Sequence, residues 1–101
     1  MVFKMINKKE IIRIIEKNKL AMQRQGVTKL GLFGSFVKGK QHAKSDIDFI
    51  VRFNNKDFGE QYFELLFYLQ DLFKRKIDLI PEENLRKELK YVIKEAEYVR
   101  I

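Results

Sequence analysis

The stretch LFGSFVKGKQHAKSDIDFIV, residues 32–51, decides how the chain is read. Its second half alternates. Asp46, Asp48, Ile50 and Arg52 fall on one side of an extended segment, and Ile47, Phe49, Val51 and Phe53 on the other. A period of two, rich in β-branched and aromatic residues, predicts a strand over residues 46–53. The same alternation aims the carboxylates of Asp46 and Asp48 one way, their backbone positions about 6.6 Å apart. Like charges held side by side repel, and a bound cation is the natural compensation. Upstream, Gly34-Ser35 closes a second apolar run, Val27 to Phe33, which also reads as a strand. A glycine at that point lets the backbone turn tightly and come close to a ligand. Ser35 offers a hydroxyl and an N–H, and a short helix beginning there would turn further N–H groups toward an anion such as a terminal phosphate. Gly39 supplies a second bend, and Lys38, Lys40 and Lys44 surround the loop with positive charge.

Working outward, Asn7 is a candidate N-cap with Glu10 at the capping-box position, opening a helix over residues 8–24. Ile11, Ile14, Ile15 and Met22 follow the helical period, and Gly26 suits its stop. Residues 59–74 carry no breaker and read as a second long helix. Lys76 to Ile80 reads as a short strand closed by Pro81, and residues 82–96 as a charged amphipathic helix with Leu85, Leu89, Val92 and Ile93 as its stripe. Residues 98–101 can add an edge strand. This order predicts an α/β fold, a small sheet with helices on one face and the aspartate strand at its centre. The strands at 27–33 and 46–53 are expected to pair antiparallel, because residues 34–45 are too few for a parallel crossover.

The 101 residues suit one domain spanning 1–101, with no repeat or linker to divide it. At 46% hydrophobic and 35% charged, the composition is that of a globular protein rather than a disordered chain. No apolar run approaches the ~20 residues that span a bilayer, and residues 1–7 lack a secretory pattern, so a cytoplasmic location is expected. The absence of cysteine excludes disulfides and thiolate metal sites. A net charge of +7 fits an anionic partner and equally a lysine-rich solvated surface. His42, the only histidine, reads as a solvated loop residue, with no neighbouring ligands to suggest zinc.

A third acid, Asp78, sits among apolar residues in Lys76-Ile77-Asp78-Leu79-Ile80. If that strand lies beside residues 46–53, all three acids meet at one end of the sheet. Three carboxylates can hold two metal ions about 3.5–4 Å apart, the arrangement used for in-line displacement at phosphorus. Gly34-Ser35, ten residues, then Asp46-Ile47-Asp48, followed by the Asp78 strand, resembles the nucleotidyltransferase superfamily related to DNA polymerase beta. The short length and the hydrophobic helix after the acid strand are similar to its minimal branch, the MNT proteins, often paired with a HEPN partner in toxin–antitoxin modules. The resemblance covers residues 27–101, and the first helix also has its expected place.

That resemblance implies the superfamily's α/β core and two Mg²⁺ ions. Asp46 and Asp48 would bind metal and substrate phosphates. Asp78 would bind the second metal and take the proton of an attacking hydroxyl, while Gly34 and Ser35 would hold the β- and γ-phosphates of ATP. Many relatives carry arginine where this chain has Lys38, whose ammonium keeps the charge without the bidentate fork. The implied reaction is transfer of AMP to a hydroxyl, with a tyrosine of a HEPN toxin as acceptor. Helix 59–74 supports a partner, because its apolar arc (Phe63, Leu66, Phe67 and Phe73 beside Tyr62, Leu65, Leu69 and Leu72) exceeds the ~100° that a monomer's surface helix needs. A homodimer or a hetero-oligomer could form there. The competing readings are an antitoxin that neutralises its partner by occlusion alone, and a nucleic-acid-binding domain suggested by charge.

Overall fold

Asn7 opens the first helix as its sequence position predicts, its side chain accepting the Glu10 amide at 2.9 Å. The computed structural model describes residues 6–42 and 44–101; residues 1–5, which carry most of the segment read as lacking a secretory pattern, lie outside them. The first helix does not run unbroken to residue 24. It forms α1 (Lys8–Lys17) and α2 (Lys19–Arg24), divided at Asn18. The cause is local competition. The Asn18 side-chain amide donates to the Ile14 carbonyl at 2.7 Å, the acceptor a continuous helix would give to its backbone N–H. That N–H turns instead to Ile15, and Tyr68 donates to the Asn18 side-chain oxygen at 3.1 Å.

The chain continues through β1 (Val27–Phe33), the one-turn α3 (Ser35–Lys38), β2 (Ile47–Phe53), α4 (Gly59–Phe73) and β3 (Ile77–Pro81). Four strands make one sheet in the order β3-β2-β1-β4, where β4 is Glu97–Arg100. As expected, β1 and β2 pair antiparallel, β2 is internal and the C-terminal strand lies at an edge. β2 and β3 pair parallel, with α4 as the crossover that parallel pairing requires.

Ile47, Phe49 and Val51 of β2, with Leu30 and Leu32 of β1, face a core closed by Ile11 and Ile15 of α1, Met22 of α2, and Leu65, Leu69 and Phe73 of α4. The helices thus sit mainly on one face. The opposite face is thinner: Ile50 packs with Leu85 and Val92, bordered by Phe33, Ile80 and Ile93.

That second layer corrects the predicted helix over 82–96. The segment is a 3₁₀ turn at Glu82–Asn84, extended backbone at Leu85 and Arg86, a second turn at Lys87–Leu89, and the short α5 (Tyr91–Glu95). Two constraints defeat the helical period. Glu82 is drawn between two strands, 3.2 Å from Arg52 Nε and 3.7 Å from Lys29 Nζ. Leu85 must then drop onto Ile50, which leaves Leu89 of the predicted stripe exposed. Burial of a small apolar patch outweighs the propensity of an unbroken helix.

On the same face Tyr98 of β4 lies across Gly31 of β1, with Lys29 Nζ 4.2 Å from its ring centre. A Cβ on Gly31 would fall 2.6 Å from the ring, closer than any packing tolerates. Gly31→Ala is therefore expected to cost about 1–3 kcal/mol in urea unfolding. In a Tyr98→Ala background that cost should largely disappear, and an equal cost in both backgrounds would show that the ring is not what the methyl meets.

Candidate active site

The sheet register assembles the site. Phe33 pairs with Asp48 across β1 and β2, and Asp48 pairs with Asp78 across β2 and β3. The last residue of β1 and the two acids therefore form one row at one end of the sheet. Immediately after Phe33 the chain turns at Gly34, with φ 76° and ψ −146°, a conformation closed to side-chain-bearing residues. A Cβ there would also lie 3.0 Å from the carboxyl carbon of Asp48. Gly34 is thus required twice, by backbone angle and by contact with the acid.

α3 begins at Ser35, its first turn closed by Val37 and Lys38 donating to the Gly34 carbonyl at 3.1 Å. Its opening amides, those of Ser35 and Phe36, precede any helical acceptor. Phe36 anchors the turn in the core at 2% exposure, which fixes Ser35 beside it at the surface of the site.

Asp48 is half-buried, and Asp78 is exposed at the start of β3. Burial, then the Asp78 and Asp46 carboxylates, push the Asp48 carboxyl up to about 6, and the Asp78 side chain lies close enough to share its proton. Asp46 is held looser, 44% exposed and 3.9 Å from Lys76 Nζ. Among the described residues no group of three His, Cys, Asp or Glu side chains is placed to hold a metal ion as it stands: Asp48 and Asp78 are brought together by the register, and Asp46 is not joined to them in one such group. The acids form an open cluster of mutually repelling carboxylates. Mg²⁺, which takes one or two carboxylates and completes its shell with water and substrate phosphates, fits such a donor set.

The remaining predicted residues are distributed unevenly. Ser35 and Gly34 adjoin the acids, but Lys38 leans away toward Glu95, at 3.9 Å, with both side chains about half exposed. His42 is exposed, and it closes a turn with Ser45: its N–H donates to the Ser45 hydroxyl at 2.8 Å and its carbonyl accepts the Ser45 N–H at 2.9 Å. Lys76 meets Asp46 rather than Asp78. Tyr62 of α4 donates to the Leu79 carbonyl at 2.7 Å, tying the crossover helix to the Asp78 strand. Burial and then the Asp78 charge raise the Tyr62 hydroxyl above its usual range.

One contributor had no signal in the spacing. Arg75 Nη1 donates to the Ser45 carbonyl at 3.2 Å, and its guanidinium lies 5.8 Å from the Phe36 ring centre. Only the fold brings residue 75 to both flanks of the loop.

The acid cluster predicts a pH signature. The Asp48 carboxyl rises from 3.8 to about 6 on folding, so its ionisation opposes the fold. Stability is then lost as pH climbs through about 6, and no penalty exists below 3.8, where the group is protonated in both states. In metal-free buffer Asp48→Asn should be more stable than the parent at pH 7 by about 1 kcal/mol, a value discounted for solvent screening of a half-exposed group. Denaturant titrations should show this advantage vanish in acid; a difference unchanged with pH would refute the coupling.

Comparison with known proteins follows the same geometry. A family model described as a nucleotidyltransferase domain matches residues 8–101. Over 97 residues the chain is 33% identical to protein adenylyltransferase MntA of Thermococcus cleftensis, covering 94% of this chain and 98% of that protein. Its fold is similar to a solved minimal nucleotidyltransferase, with TM-score 0.77, 24% identity, and coverage of 91% and 95% of the two chains. It is also similar to a chain in the solved complex of a tri-AMPylated Shewanella oneidensis HEPN toxin with its MNT antitoxin, with TM-score 0.60, 18% identity, and coverage of 85% and 69%.

Proposed function

Because the chain belongs to the nucleotidyltransferase domain family, we propose that it is a minimal nucleotidyltransferase that moves AMP from ATP to a hydroxyl of a protein partner, releasing pyrophosphate. The register carrying Phe33-Gly34, Asp48 and Asp78 into one row is the observation that supports this reading most directly. Asp46, Asp48 and Asp78 would hold two Mg²⁺ ions. The ions would supply charge stabilisation at the α-phosphate and the departing pyrophosphate. Gly34 and the Ser35 turn would hold the β- and γ-phosphates, and Lys38, after leaving Glu95, would add charge beside them. In the transfer the acceptor oxygen forms a bond to the α-phosphorus as the bond to the bridging oxygen breaks. Asp78, the most exposed of the paired acids, would take the proton of the acceptor hydroxyl.

The partner surface we assign is α4. Leu65, Leu69 and Phe73 point into the core, while Phe63 and Phe67 stand outward, 57% and 62% exposed and one turn apart. Every charged residue of α4 is acidic (Glu60, Glu64 and Asp71), in a chain that carries +7 overall. A basic, apolar partner surface suits this face, and self-association is its competing use. By the likeness to the MNT antitoxin in complex with its HEPN toxin, the acceptor is inferred to be a HEPN-type toxin modified on tyrosine, with this chain as its antitoxin. A reaction drawing on ATP also agrees with a cytoplasmic location.

Labelled ATP, Mg²⁺ and the product of the adjacent gene provide the test. Label should accumulate on the partner, and Asp46→Asn and Asp78→Asn should each reduce it by about 10²–10³-fold. Full neutralisation of the partner with no label transferred by any form would overturn the enzyme and leave occlusion. Phe63→Ser combined with Phe67→Ser should weaken partner binding by about tenfold or more in titration calorimetry, while ATP binding is unchanged. Unaltered partner affinity in that variant would remove α4 as the docking face.

A further inference from the structure

The loop between the phosphate-holding turn and the acid strand begins just after Ser35 and ends just before Asp46. One side chain touches both ends. Arg75 donates from Nη1 to the carbonyl of Ser45, at 3.2 Å, and lays its guanidinium toward the ring of Phe36, at 5.8 Å. Phe36 is the residue after Ser35, and Ser45 is the residue before Asp46. A second bond completes the arrangement: the Ile47 amide donates to the Lys76 carbonyl at 3.1 Å. The peptide units on either side of Asp46 are therefore both held by the residue pair 75 and 76, two positions upstream of the Asp78 strand's acid.

We propose that Arg75 is a positioning residue that sets the distance between the Gly34–Ser35 turn and Asp46, so that phosphates and acids face one another in register. The inference rests on the function proposed above for those residues, but the clamp itself is a property of the free chain. The chemistry explains why arginine serves here. A planar guanidinium can turn its face to an aromatic ring while an N–H at its edge donates to a carbonyl, and a lysine ammonium cannot do both from one place. A misplacement of about 1 Å at reacting atoms can reduce a rate by about 10²-fold, so a loop tether of this kind acts on turnover more than on nucleotide capture.

Two variants separate the contacts. Arg75→Met keeps the length and the apolar contact with Phe36 but has no donor; Arg75→Lys keeps charge and a donor without the fork. Hydrogen exchange on the chain alone should speed up about tenfold or more at the amides of residues 44–47 in both variants. The amides of α1 and α4 should be unchanged, and the thermal midpoint should shift by only a few degrees. With ATP and the partner, kcat should fall by about 10–10²-fold while the KM for ATP moves less than about threefold. A large rise in KM with kcat preserved would overturn the proposal in favour of direct phosphate binding. Faster exchange throughout the molecule would overturn it in favour of a general structural role. Unchanged exchange at residues 44–47 would overturn it whatever the activity. Absence of transfer by the parent protein would count against the proposed function, while the exchange result would still decide the clamp.

Discussion

Asp48 opposite Asp78 is the constraint around which the rest of this small sheet is arranged. Two carboxylates in register on adjacent parallel strands oppose folding, and burial of one of them deepens the penalty. Nothing in packing favours such a pair. Most of what stabilises the sheet lies on its other face, where Ile47, Phe49 and Val51 are fully or almost fully buried under the helices. Along β2 the odd-numbered residues face the main core, while the even-numbered side carries Asp48 near one end and the buried Ile50 beyond it. The two sides cannot be exchanged, because a one-residue slip would bring the acids into the core.

Much of this was legible in the chain itself, because period two and glycine position are local signals. The strand expected at residues 46–53 (observed as Ile47–Phe53, with Asp46 just before it), the turn at Gly34 and the antiparallel pairing of β1 with β2 needed only neighbouring residues. What was illegible depended on contacts between distant segments. The break at Asn18 arises from an amide that can either continue a helix or cap one, and Tyr68, fifty residues away, meets the same side chain. The helix expected at 82–96 was lost to Glu82, which Lys29 and Arg52 claim from two other strands. Arg75 is the same lesson inside the site. Its destination, the Ser45 carbonyl, is visible only once β3 lies beside β2.

The two ends of the sheet show opposite electrostatic solutions. At one end Lys29, Arg52 and Glu82 satisfy one another, with Lys29 also over the Tyr98 ring. Glu82 is only 17% exposed there, so these pairs are less screened than ordinary surface bridges. At the other end Asp48 and Asp78 face each other, with Lys76 3.9 Å from Asp46 and Lys38 leaning to Glu95. Burial and the neighbouring carboxylates hold the Asp48 carboxyl up to about 6 there, a perturbation of the kind found at candidate functional sites.

β3 has a further effect through its place at the sheet's border. It is an outermost strand, five residues long, and it finishes at Pro81. Proline has no N–H to offer, so a further strand cannot extend the sheet along that margin without losing a rung. Among the described residues the border beside Asp78 has no neighbouring strand. In the reaction proposed above, a large acceptor, too bulky to enter a cleft in a chain of this size, would reach Asp78 from that margin.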